Sequence, residues 1–356
     1  THPTSPVLAA SLAMAETMGS TGQELLTAFA IGFETGCKVA EAIKPEHYAK
    51  GFHTTGTVGA IGAAAAAAKL LGLGEQELRM CFGIACSESA GLRANFGTMT
   101  KPYHAGRAAE NGVAAARLAA GGFTADPNIF DGRWGFFQIM GGGVDADHLL
   151  GKLGNPWSAV TPGVSIKPYP CGSLGHPAMD AMRDLVIEND VDPKKVKRVR
   201  FGTTTKVLEP LRYADPQNEL EAKFSLQFGL GILLLERKAG LRQYKDEVVQ
   251  RPDVREVMKK VETYEDGEIE KLGYALIRGK VSIEMEDGTV HEKMAELSRG
   301  APQRPMNREE LYEKFQECCG LVYPERRIAE IERLLYKIDA AENIHALVEL
   351  LGPAQG

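Results

Sequence analysis

Between Asn95 and Gly112 the chain carries Lys101, His104 and Arg107 around a Lys101-Pro102 junction. Proline's fixed φ and missing N–H suit the first helical position, so a helix is predicted to open at Pro102. On it, His104 and Arg107 lie three apart and share a face. Lys101 would then sit beside unpaired backbone N–H groups and the positive end of the helix dipole, which suits a bound carboxylate or phosphate. A surface helix with three solvated cations fits the same spacing equally well.

Other landmarks follow in a fixed order along the chain. They are His2-Pro3, Gly51-Phe52-His53 with Thr57-Val58-Gly59, Ile166-Lys167-Pro168-Tyr169-Pro170, and Glu221-Ala222-Lys223-Phe224-Ser225-Leu226-Gln227. None is specific alone, but together with the 95–112 segment their order resembles the MmgE/PrpD family, which includes 2-methylcitrate dehydratases, cis-aconitate decarboxylases and iminodisuccinate epimerases. The resemblance implies a mainly α fold, with a large all-helical domain and a smaller α+β lid domain. It further implies that His2, His53 and Lys101 are catalytic and that Lys167, His104, Arg107 and His176 bind substrate.

Each of these residues also has a plainer reading. His53 could be a satisfied buried histidine at a helix entry, Lys167 a solvated loop lysine, His2 part of a mobile terminus, and His104 a helix cap. Arg93 could aid anion binding or pair with Glu88.

The chemistry that would use the set is loss or exchange of a group next to a carboxylate. Removing a proton α to a carboxylate creates a dianionic enolate, which requires cations and a base within hydrogen-bond reach. Lys101, Lys167 and Arg107 would hold the anion, and His53 and His2, which titrate near neutrality, would move the proton. The reading is a cofactor-independent lyase acting on a small di- or tricarboxylate. An iminodisuccinate-type epimerase and a non-catalytic carboxylate-binding or assembly protein are the alternatives. In the family a helical stretch with an acidic pair precedes the His-Pro motif, here His2-Pro3. The reading therefore expects a homodimer in which helical domains meet, and little activity unless such a segment is supplied.

Composition agrees with an enzyme: the 356 residues are 44% hydrophobic and 25% charged, with a formal net charge of −6. An acidic chain exerts no long-range pull on an anion, so a local cationic cluster must do the binding. No block of like charge suggests nucleic acid as a partner. The longest apolar run, Val58 to Ala68, is shorter than the roughly 18–20 residues of a membrane span, and no signal-peptide pattern is visible, so no membrane partner and a cytoplasmic location are expected. Cysteines at 37, 81, 86, 171, 318 and 319 show no metal-binding spacing, and no dinucleotide or phosphate-loop fingerprint is present. No metal or organic cofactor is assigned.

The elements that must position these residues divide by character. Residues 1–160 read as a helical domain, with stops at Gly72, Gly74 and Gly121-Gly122 and an Ala/Gly-rich central helix from Thr57 to Leu71. Residues 161–302 read as the α+β lid, with strands over Lys195–Phe201 and Lys280–Glu286, an Asp287-Gly288 hairpin turn into Thr289–Met294, and helices over Asn218–Lys238 and Val254–Val261. Residues 303–356 read as helices returning to the first domain, with an Asn307/Glu310 capping box and an apolar stripe of Ile328, Ile331, Leu335 and Ile338.

Overall fold

The computed structural model describes residues 1–274 and 276–352, so the last four residues of the 303–356 segment lie outside the described residues. Two compact units form: one from Thr1–Asn95, Met99–Gly163 and the described residues from Tyr323 onward, the other from Phe96–Thr98 and Val164–Val322.

The principal helices of the first unit are α1 (Thr4–Met18), α2 (Gly22–Ala42), α3 (Thr54–Leu71), α4 (Glu75–Ser87) and α5 (Thr100–Ala120). Local chemistry sets their ends. Thr21 and Glu24 form a reciprocal capping box at the start of α2, while Gly19 and Gly72 adopt left-handed φ after α1 and α3.

Helix α3 packs against α1, α2, α4 and α5, and its small side chains are what allow this. A Cβ built on Gly62 would lie 2.8 Å from the Gly32 carbonyl oxygen of α2, so the two backbones cross in near contact. By length and composition α3 is enough to cross a bilayer, longer than the apolar run alone suggests, yet 78% of it is buried inside the protein. It is a core helix.

The C-terminal helices Glu325–Leu335 and His345–Leu351 complete this unit. Arg327 joins them by donating to the carbonyls of Leu350 at 2.8 Å and Gly352 at 2.8 Å. Ile344 packs with Ala15 and Leu25, and Ile328 and Ile331 are buried, whereas Leu335 of the expected stripe is exposed.

The second unit is built on a four-stranded sheet of order β2-β1-β3-β4, from β1 (Val196–Thr203), β2 (Val261–Glu265), β3 (Gly279–Met285) and β4 (Val290–Ala295). Strand β2 pairs parallel to β1, and the other pairings are antiparallel. Helix α6 (His176–Glu188) covers β3 and β4, and α7 (Leu226–Glu236) packs on β2 and on helix Pro252–Lys259. Val199, Val281 and Ile283 of the sheet and Leu230, Ile232, Leu233 and Leu234 of α7 form a fully buried core.

Three expectations change here. The continuous helix over Asn218–Lys238 is two, Glu219–Ala222 and α7, because the Ser225 hydroxyl accepts from Phe228 N at 3.1 Å and starts a new helix. Val261, expected at a helix end, begins strand β2. Helix Arg308–Cys319, expected with the first domain, belongs to the second unit, where Glu310 pairs with Arg299 at 3.0 Å and Glu317 accepts from Leu241 N at 3.1 Å.

Candidate functional site

His53 is the residue at which the loop after α2 becomes α3. It is the N-cap, and its carbonyl accepts from Gly56 N at 2.8 Å and Thr57 N at 3.2 Å while its own N–H donates to Gly91 O at 2.9 Å. Backbone contacts on both sides therefore fix the main chain at this residue, and its side chain is buried with 4% exposure.

Facing it is His104, in the second turn of α5. The inward positions of that helix are Lys101, His104, Ala108, Asn111 and Ala115, spaced three and four apart. The helix opens at Thr100, two residues before Pro102. Gly91, with φ of +138°, lets the chain pass close to the His104 ring: a Cβ there would sit 3.3 Å from His104 Cγ.

The two rings meet with His53 Nδ1 and His104 Nδ1 3.0 Å apart. One nitrogen must donate and the other accept, so the pair holds a single proton between them and cannot carry two positive charges without breaking the contact. Burial, reinforced by the Lys101 charge, pushes His53 down to about 3 from an ordinary 6.5. Burial and Lys101 lower His104 as well. At neutral pH this is a pair of neutral imidazoles beside a cation.

The other residues singled out in the first unit differ in place. His2 donates its backbone N–H to Thr55 Oγ1 at 3.2 Å, has Nδ1 at 3.0 Å from the same hydroxyl, and brings its ring centroid to 6.4 Å from that of His53. Arg107 does not share the inward face: it is exposed and paired with Glu110 at 2.7 Å. Arg93 lies over the Tyr48 ring at 3.8 Å and donates to Tyr48 O at 2.9 Å. Glu88 uses its carbonyl to accept from Asn111 Nδ2 at 2.8 Å.

Lys167 and His176 come together in the second unit. Lys167 Nζ donates to Cys171 O at 3.3 Å, and His176 Nε2 stands 3.3 Å from the same oxygen. A carbonyl only accepts, so Nε2 carries the proton. Burial, then the Lys167 charge, push His176 down to about 3, and burial lowers Lys167. The adjoining Tyr169 donates to Asp180 Oδ1 at 2.6 Å, and Arg299 holds the same buried carboxylate through its backbone N–H at 2.6 Å. On the other side of Lys167, Ile166 N donates to Gly300 O at 2.8 Å, so the loop is anchored before and after the lysine.

With this geometry in view, comparison with known sequences is decisive. Residues 1–149 match the MmgE/PrpD N-terminal domain and residues 169–337 the MmgE/PrpD C-terminal domain. The chain belongs to the MmgE/PrpD family. Among relatives, it is 29% identical to a cis-aconitate decarboxylase of Aspergillus terreus, over 98% of this chain and 76% of that protein. It is 28% identical to cis-aconitate decarboxylases of Homo sapiens, over 99% and 75%, and Mus musculus, over 99% and 74%. The relatives are lyases, and this MmgE/PrpD chain resembles them along nearly its whole length.

Sequence reasoning passed over two groups in this family member. One is His47, 1% exposed, which contacts Thr57 of α3. The other is the Tyr169–Asp180–Arg299 cluster. A lone histidine between Glu46 and Tyr48 carries no spacing signal, and Asp180 meets Arg299 across 119 residues of sequence.

Proposed function

We propose that this chain is a cofactor-independent lyase that acts next to a carboxylate of a small polycarboxylic acid, with decarboxylation of a cis-aconitate-like tricarboxylate as its reaction. The observation that carries the reading is the neutral His53–His104 pair, 3.0 Å apart, beside Lys101 at the start of α5. The similarity to cis-aconitate decarboxylases supports the choice of substrate class.

The reaction runs as follows. Lys101 and the positive end of α5 hold a carboxylate. Burial, then the Lys101 charge, depress the histidines; the substrate's negative charges offset Lys101 and favour an imidazolium beside them, so the proton affinity of the pair rises and it takes up a proton as the anion binds. The bond from the methylene carbon to its carboxylate breaks, CO₂ leaves, and the electron pair shifts through the double bond to the carbon bearing the far carboxylate. The imidazolium delivers its proton to that carbon. His2, hydrogen-bonded to Thr55, is the group through which the pair exchanges its proton with solvent.

Proton NMR of the protein with cis-aconitate, 2-methylcitrate and an imino-dicarboxylate in deuterated buffer tests this reading. The expected result is loss of CO₂ from cis-aconitate with solvent deuterium in the product. Elimination from 2-methylcitrate alone, or α-proton exchange without decarboxylation, would replace the decarboxylase reading by a dehydratase or an epimerase.

A further inference from the structure

His47 is a buried histidine with no part in the proposed proton transfer, yet it contacts the residue before His53 and Thr57 in the turn after it. Its Nδ1 is 3.2 Å from the Met140 carbonyl, its Nε2 is 2.9 Å from Thr57 Oγ1, and its ring stacks on Phe52 with centroids 5.0 Å apart and planes 12° from parallel. Its carbonyl accepts from Phe52 N at 3.3 Å.

A carbonyl only accepts, so the proton of the neutral ring is on Nδ1 and Nε2 offers a lone pair. The Thr57 hydroxyl donates to that lone pair at 2.9 Å, the shorter of its two contacts, the other being the Thr54 carbonyl at 3.4 Å. Thr57 is fully buried in the first turns of α3, and its backbone N–H donates to the carbonyl of His53 at 3.2 Å. One residue thus holds Phe52 by stacking and, through Thr57, the turn on which His53 rides. The Met140 carbonyl, from helix Phe136–Gly141, keeps the imidazole in the form that can do so.

We propose that His47 is a positioning residue for His53, acting through the Thr57 hydroxyl to fix the ring against His104. The inference rests on the reading of His53–His104 as the proton-transfer pair. Misplacing a reacting group by about 1 Å costs up to ~100-fold in rate without weakening substrate binding elsewhere.

The test is a pair of substitutions at Thr57 followed by two readouts. Thr57→Val keeps the shape and removes the hydroxyl, and Thr57→Ser restores it. The expected result is a fall in kcat of about 10-fold or more for Thr57→Val, with KM within about twofold, and near-normal kcat for Thr57→Ser. In ¹⁵N spectra of the histidine rings, the His53 and His104 signals should move in Thr57→Val and stay in Thr57→Ser. Normal kcat and unmoved His53 and His104 signals in Thr57→Val would overturn the proposal. So would equal losses in both variants, since the hydroxyl would then be irrelevant. Where the unsubstituted chain turns over none of the three acids, the proposed function fails, and the ring spectra alone decide whether His47 positions His53.

Discussion

Two histidines in this molecule are depressed first by burial and then by a lysine, and have different partners. His53 in the first unit and His176 in the second are both buried near a lysine, and both are pushed down to about 3. His53 faces another imidazole across 3.0 Å, whereas His176 faces a main-chain carbonyl across 3.3 Å. A ring bonded to a carbonyl has its proton fixed, because the carbonyl can never donate. A ring bonded to a second imidazole can give or take one, because either nitrogen can play either part. A depressed proton affinity is common to both rings, and in the proposed reaction it is the partner that separates them.

The contrast is broken most severely at His53. In His53→Asn, kcat should fall by roughly 100- to 10,000-fold, the range expected for losing a positioned proton carrier. His176→Gln should lower the melting temperature and reduce kcat far less. An equal loss of kcat in the two variants, measured under saturating substrate, would erase the distinction.

Next in size is Lys101. Lys101→Ala should raise KM by roughly 10- to 100-fold, as expected for losing a charge-assisted hydrogen bond, with little change in melting temperature. The same substitution removes the lysine charge that lowers both rings, so the proton affinities of His53 and His104 should rise. An unchanged KM would remove Lys101 from the site.

Acid stability tests the part that the two histidines share. Both rings stay neutral in the folded protein down to about pH 3, while the unfolded chain protonates them near 6.5. Between those values the unfolded state binds more protons, so stability is lost as pH falls below about 6.5 and rises again with pH. His176 alone should cost about 2 kcal/mol at pH 5, and His176→Gln should flatten the dependence of unfolding free energy on pH by that amount. A melting temperature level from pH 7 to pH 5 would contradict the burial of neutral histidine.

The smallest effect is expected at Arg107. Its partner is Glu110 on an exposed face, so Arg107→Ala should leave kcat/KM within about twofold. A large rise in KM would return it to the anion site.

Arg107 also shows how far the sequence could be read. Three-residue spacing put it on a face with His104, but the buried stripe of α5 advances from His104 to Ala108, and the four-residue step leaves Arg107 outside. The period was visible in the small residues Ala108, Gly112, Ala115 and Ala119. The alternation in Lys280–Glu286 and the Asn307/Glu310 box were legible because each is a local pattern. Strand β2 was not, since Val-Glu-Thr-Tyr-Glu follows a helix directly and buries only Val261, so nothing local separates it from a helix end. The meeting of His53 with His104 across 51 residues was beyond spacing altogether. Only the family resemblance singled out both rings, and it did not pair them.

The central claim is that His53 and His104 form one neutral pair that takes up a proton together with a polycarboxylate. Ring-resolved ¹⁵N NMR of the two histidines, titrated from pH 5 to pH 8 with and without a saturating tricarboxylate, tests it most directly. The account predicts that in the free protein His53 is neutral throughout and His104 takes up its proton below the ordinary histidine range, and that one proton is shared between them when the anion is bound at pH 6. Two independent titrations near 6.5, unchanged by the tricarboxylate, would contradict it.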